Sequence, residues 1–196
     1  LLALGAIAAL ALLAATSRAA AAQPAAAPET PAAMIAAQQS AMARLKALDG
    51  LWRGTGEMID RPGETPRHMA YTLRVGPFLD GTVKLIEIRG TLADGSLGFH
   101  AFNTIYFDAG KGEYRISARA GGRSGDFAFR STDDGYAWEI GPTGNGLRYT
   151  AHVHDGMWTE VGEVLAPGHE PVHLSSNEVR RIGSTDWPEA GAVPAR

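Results

Sequence analysis

LDGLWRGTGE, residues 48–57, decides how this chain is read. Trp52 stands two residues after Gly50 and two before Gly54, at the point where the apolar period changes. Upstream, Met34, Ile35, Met42, Leu45 and Leu48 recur at roughly helical spacing, with Thr30 placed to cap and Pro31 at the first helical position. That pattern predicts a helix through PAAMIAAQQSAMARLKAL, stopped by Asp49-Gly50. Downstream the period is two. LWRGTGEMID, RHMAYTLRV, TVKLIEIRG, GFHAFNTIYF, EYRISARA, DFAFRS, YAWEIG, LRYTAHV, MWTEVGEVL and VHLSSNEVRRI each read as a strand, with Gly-, Asp- and Asn-rich turns between them.

Short strands at this spacing, with no helical stretch between them, predict a meandering antiparallel sheet and disfavour a parallel one. Ten strands linked by hairpins leave two open edges unless the first pairs with the last. An all-β, up-and-down antiparallel barrel of about ten strands removes those edges; a two-sheet sandwich is the alternative. In the barrel, Gly50 ends the helix, Trp52 plugs one end, and Gly54 and Gly56 let the backbone bend where the sheet shuts.

On these residues the chain resembles the calycins. LDGLWRGTG is similar to the G-x-W start of lipocalins, and more closely to the opening of nitrobindins and of bacterial exported calycin-like domains of unknown function. The likeness to the last group extends to PFLDGTVKLIEIRG and WTEVGE and covers most of residues 45–182. It implies that an arginine of the closing strand, Arg180 or its neighbour Arg181 in NEVRRI, packs on Trp52, and Arg180 is taken for that role. Nitrobindins also carry a closing-strand histidine that ligates haem iron. Here PVHLSS is one residue shorter between proline and histidine, which turns His173 to the opposite face. The cofactor expectation is therefore none, with haem on His173 as the alternative.

LLALGAIAALALLAA, at the start, is apolar, uncharged and shorter than a spanning helix, and Ala20 and Ala22 offer an A-x-A cleavage pattern. Residues 1–22 are read as a signal peptide lacking its basic n-region, 23–30 as a flexible leader, 31–182 as helix plus barrel, and 183–196 as a disordered tail. The expected location is periplasmic or secreted, without stable membrane insertion after cleavage. The chain contains no cysteine, which excludes disulfides, thiolate metal sites and a lipidated cysteine. A net charge of −3 disfavours nucleic acid as a partner.

Several strands mix polar and apolar residues on both faces. Val83, Leu85, Glu87 and Arg89 share one face of the third strand; His100, Phe102, Thr104 and Tyr106 oppose Phe99, Ala101, Asn103, Ile105 and Phe107 on the fourth. Either the interior holds polar groups around a cavity, or outward charges cover the pleats. The candidate ligand-binding set is His100, Asn103, Tyr106, Trp138, Tyr149, Trp158 and Glu160, in which flat rings supply contact area and polar tips supply orientation. An internal Glu160 needs a donor, for which Arg89, Arg115 and Arg148 are the candidates. His152 and His154 fall on the outward face and lack a third metal ligand. There is no G-x-S-x-G elbow, and GPTGNG (141–146) joins two strands rather than opening a helix. The functional expectation is an exported barrel binding a small, partly apolar molecule. The alternatives are a haem-binding barrel, or a barrel enzyme using an internal histidine–carboxylate pair such as His100 with Glu160.

Overall fold

Each strand has one face that must leave water, and a run of strands joined by tight turns buries that face by rolling up. In the computed structural model, which describes residues 30–61 and 63–194, the chain does this completely. The expected signal peptide and all of the leader before Thr30 lie outside the described residues. Strands β1 (Gly50–Met58), β2 (Arg67–Phe78), β3 (Val83–Thr91), β4 (Leu97–Asp108) and β5 (Glu113–Ala120) are followed by β6 (Arg123–Ser131), β7 (Gly135–Ile140), β8 (Gly146–His154), β9 (Met157–Leu165) and β10 (Val172–Gly183). Each pairs antiparallel with its neighbours in sequence, and β1 pairs with β10, so the barrel is closed and no sandwich forms.

The helix is shorter than its apolar spacing suggests. α1 covers Pro31–Ala43, with the Thr30 side chain accepting from the Ala33 N–H at 3.2 Å, and a separate 3-10 turn spans Lys46–Leu48. The break lets the chain tuck Leu45 and Leu48 under the barrel. Met34 and Ile35 stay exposed, so the buried face of α1 is made by Ala41 and Met42 instead. Tyr114 O–H donates to the Ala41 carbonyl at 2.9 Å, and the Gln39 amide donates to the Asp80 carbonyl at 2.8 Å, which fixes α1 across the barrel end.

Trp52 closes that end. It is 1% exposed, meets Trp158 edge-on at 5.5 Å, and its indole N–H donates to the Leu48 carbonyl at 2.9 Å. The arginine over its ring is Arg181, 4.7 Å from the centroid, which also donates to the Ala47 carbonyl at 2.6 Å. This corrects Arg180: the register sets Trp52 opposite Arg181, whereas Arg180 lies opposite Arg53 on the outward side. A Cβ on Gly54 would stand 2.0 Å from the Glu178 carbonyl oxygen, and one on Gly56 would stand 2.8 Å from the Tyr71 ring. Only residues without side chains let β1 approach β10 this closely.

The segment after β10, expected as a loose tail, turns back onto the barrel. Arg74 stacks 4.9 Å over the Trp187 ring, and Gly76 leaves room for the Trp187 backbone.

Candidate functional site

The closed end is solid. Toward the other end the lumen is hollow, with a cavity of about 360 Å³ running from Trp158 and Tyr136 up to Met58, Arg123 and Ser124. Alternation fixes its walls. β2 contributes Tyr71 and Leu73, β4 Phe99, Ala101, Asn103 and Ile105, β5 Ile116, Ala118 and Ala120, and β7 Tyr136 and Trp138. β8 adds Tyr149, β9 Trp158 and Glu160, and β10 Ser175 and Asn177. Small side chains on β4 and β5 face aromatic ones on β7 to β9, which is what leaves the space open. Trp138 stacks on Tyr149 at 4.6 Å, and Tyr136 stacks on Phe129 at 5.1 Å.

One wall of this mainly apolar chamber carries a carboxyl group. Glu160 accepts from the Tyr136 hydroxyl at 2.5 Å, and the Asn177 amide side chain faces it from β10. Burial raises the Glu160 pKa above the usual carboxylate range; the bonds from Tyr136 and Asn177 offset part of that. The same burial, with the Glu160 charge second, lifts Tyr71 and Tyr149 to about 12 and pushes Tyr136 well above an ordinary phenol. Two buried polar atoms here have no hydrogen-bond partner among the described residues: the Trp158 indole nitrogen and Asn177 Oδ1. A native interior seldom leaves such atoms orphaned.

Of the seven expected lining residues, Asn103, Trp138, Tyr149, Trp158 and Glu160 meet in the cavity. His100 and Tyr106 do not. His100 Nε2 lies 3.2 Å from Glu87 Oε1, and the Tyr106 hydroxyl donates to Asp126 at 2.8 Å, both on the exposed outer surface. The outward face of β3 and β4 is a lattice of paired charges, so on those strands the second reading of the mixed faces holds. Arg74 pairs with Glu87 at 2.6 Å, and Arg115 with Asp126 at 2.7 Å. None of the three arginines considered for Glu160 reaches it: Arg148 pairs with Glu163 at 2.7 Å, and Arg89 lies 3.6 Å from Glu87. Tyr136, Tyr71 and Asn177 were missed. Tyr136 shares a face with Trp138, and Asn177 shares one with Val179, so strict alternation from either anchor finds them.

All six histidines are exposed, so no imidazole–carboxylate pair stands in the lumen and the pairing of His100 with Glu160 fails. His152 bonds Asp134 at 2.7 Å on the outside, and no metal-binding group of three or more ligands occurs among the described residues. The haem alternative fares no better. His173 lies opposite Glu163, with Nε2 3.2 Å from Glu57 Oε1, before an irregularity that returns Ser175 to the lumen. The residues present do not fit a haem held by an imidazole inside this barrel.

Glu160→Gln tests the electrostatic description. The substitution keeps an acceptor for the Tyr136 hydroxyl and removes only the titratable charge. A carboxyl whose folded pKa is raised contributes stability that is present below its unfolded pKa and lost as pH rises through the folded value. The variant is therefore expected to match the parent near pH 4 and to exceed it at pH 8. Urea unfolding at both pH values checks this; a gain independent of pH contradicts it.

No protein-family model matches the chain, and no curated protein matches it in sequence. Among solved structures it is similar to Rv2717c from M. tuberculosis, whose crystal structure aligns with a TM-score of 0.55 at 12% identity. The alignment spans 72% of this chain and 96% of that one, and at that identity the likeness is one of fold alone.

Proposed function

We propose that this chain is an exported, calycin-like barrel that holds a small, partly apolar molecule in its lumen. The observation that carries the reading is the cavity itself. Its volume of about 360 Å³ falls in the range of small-molecule sites, and its wall is aromatic and aliphatic with a few convergent polar groups. A barrel that served only as a scaffold would gain stability by filling this space, since each missing methylene weakens a core.

The test uses N-phenylnaphthylamine, a neutral apolar dye that brightens on leaving water. The parent protein is expected to bind it. Ala118→Trp, which fills the middle of the lumen, should weaken binding at least about tenfold, given that one large side chain replaces the guest's volume. Ala128→Trp, at an exposed outward position of β6, should leave it unchanged. Equal binding by both variants, each shown folded by circular dichroism, would place the dye outside the lumen and defeat the proposal.

A further inference from the structure

We propose that the guest is an organic amine, bound as its ammonium ion at the Glu160 carboxylate, with its apolar body against the aromatic walls. This rests on the preceding reading that the lumen holds a guest. The geometry leaves Glu160 without a counter-charge. Glu160 is a lumen carboxyl whose neighbours are a phenol and an amide, and none of the ion pairs among the described residues involves it. Buried carboxylates are ordinarily paired with a cation, since removing an unpaired charge from water is costly. Its cross-strand neighbour Asn177 is an amide and brings no charge. An ammonium group carries a positive charge on N–H donors, and so supplies the counter-charge that the lumen lacks.

The walls suit the same ion. Tyr71, Tyr136, Tyr149 and Trp158 line the same cavity as Glu160, and aromatic faces attract cations most strongly where water is excluded. An anionic guest would meet Glu160 with no lumen cation beside it. Arg123, which also lines the cavity, sits at the mouth as the first residue of β6.

The titratable groups facing Glu160 from the packed strands are Tyr71 on β2, Tyr136 on β7 and Tyr149 on β8; Asn177 on β10 does not titrate. All three phenols stay neutral at pH 8, so among these groups Glu160 alone changes charge on acidification. Where the empty site is protonated, a bound ammonium must displace that proton. Affinity then falls by about tenfold per pH unit of acidification.

Calorimetric titration with tyramine, with its neutral counterpart tyrosol and with the anionic desaminotyrosine tests the assignment on matched skeletons. Tyramine is expected to bind at least about tenfold more tightly than tyrosol at pH 8, and desaminotyrosine most weakly. Glu160→Gln should erase the preference for tyramine while retaining N-phenylnaphthylamine, which shows that its lumen is intact. Equal affinity for tyramine and tyrosol, or a preference surviving in Glu160→Gln, would overturn the amine assignment. So would dye binding without any tyramine binding, and in that case the lumen reading stands. Failure of the dye as well would remove both.

Discussion

Trp52→Ala is expected to lower the unfolding free energy by about 3–5 kcal/mol, the range for deleting a fully buried large aromatic. The side chain is 1% exposed and forms the floor of the barrel, in edge contact with Trp158 at 5.5 Å. Its removal leaves a void bounded by strands already tied on both sides, with Leu73 on β2 and Arg181 on β10 as register partners, so collapse into the space is resisted. Two polar consequences add to the void. The Leu48 carbonyl loses its indole donor, and the Arg181 guanidinium loses the ring it covers. Trp52→Phe separates the terms: it keeps most of the volume and should cost markedly less, about 1–2 kcal/mol for the lost hydrogen bond and the smaller ring. Urea unfolding followed by circular dichroism measures both. A loss under about 1 kcal/mol for Trp52→Ala would show that the barrel is closed by its hydrogen-bonded ladder and not by this ring.

The same ring shows why the architecture was legible and where the site was not. Period-two strands with turn residues between them leave little freedom in antiparallel order, and Trp52 followed by two glycines marks where β1 meets β10. Face assignment was harder. On β4 both faces carry large apolar residues, Phe99 and Phe107 on one and Phe102 on the other, so apolarity alone does not say which turns inward. The pairing register decides it: His100 reaches Glu87 diagonally across β3, and Tyr106 reaches past β5 to Asp126 on β6, so both belong to the outer face. Arg180 failed by the same parity. Val179 is fully buried, so Arg181 two residues on shares its side, and the irregularity at Leu51/Trp52 delivers that arginine to the ring. Trp138, Tyr149 and Trp158 needed only alternation within β7 to β9, where small and large residues do not compete for the lumen. Glu160 was legible as a candidate for the interior, but its partners were not, because a phenol from β7 replaced the arginines that charge pairing suggests.

Asp49→Ala is expected to be nearly as damaging as loss of the tryptophan, although Asp49 is only partly buried. Its carboxylate pairs with Lys84 on β3, whose side chain is 2% exposed against 27% for the aspartate. Burial pulls the Lys84 pKa below its ordinary value, and the bond and charge of Asp49 oppose that pull. Without Asp49 an ammonium is left in the barrel floor with no counter-charge, and breaking a buried pair from one side costs about 3–5 kcal/mol. The exposure of Asp49 moves the expectation to the low end, about 3 kcal/mol. The pH response carries the sign. A lysine with a depressed folded pKa binds more protons when unfolded, so stability rises with pH from that folded value toward the unfolded one near 10.5. The variant should therefore regain part of its loss between pH 7 and about 9.5, below the range where unfolded tyrosines ionise and favour the unfolded chain. Asp49→Ala combined with Lys84→Met should recover most of the loss at pH 7, because an apolar chain of similar length needs no partner. A double variant as unstable as the single one would mean that Asp49 acts through the turn between the Lys46–Leu48 segment and β1, and that the ion pair is incidental to holding that turn against β3.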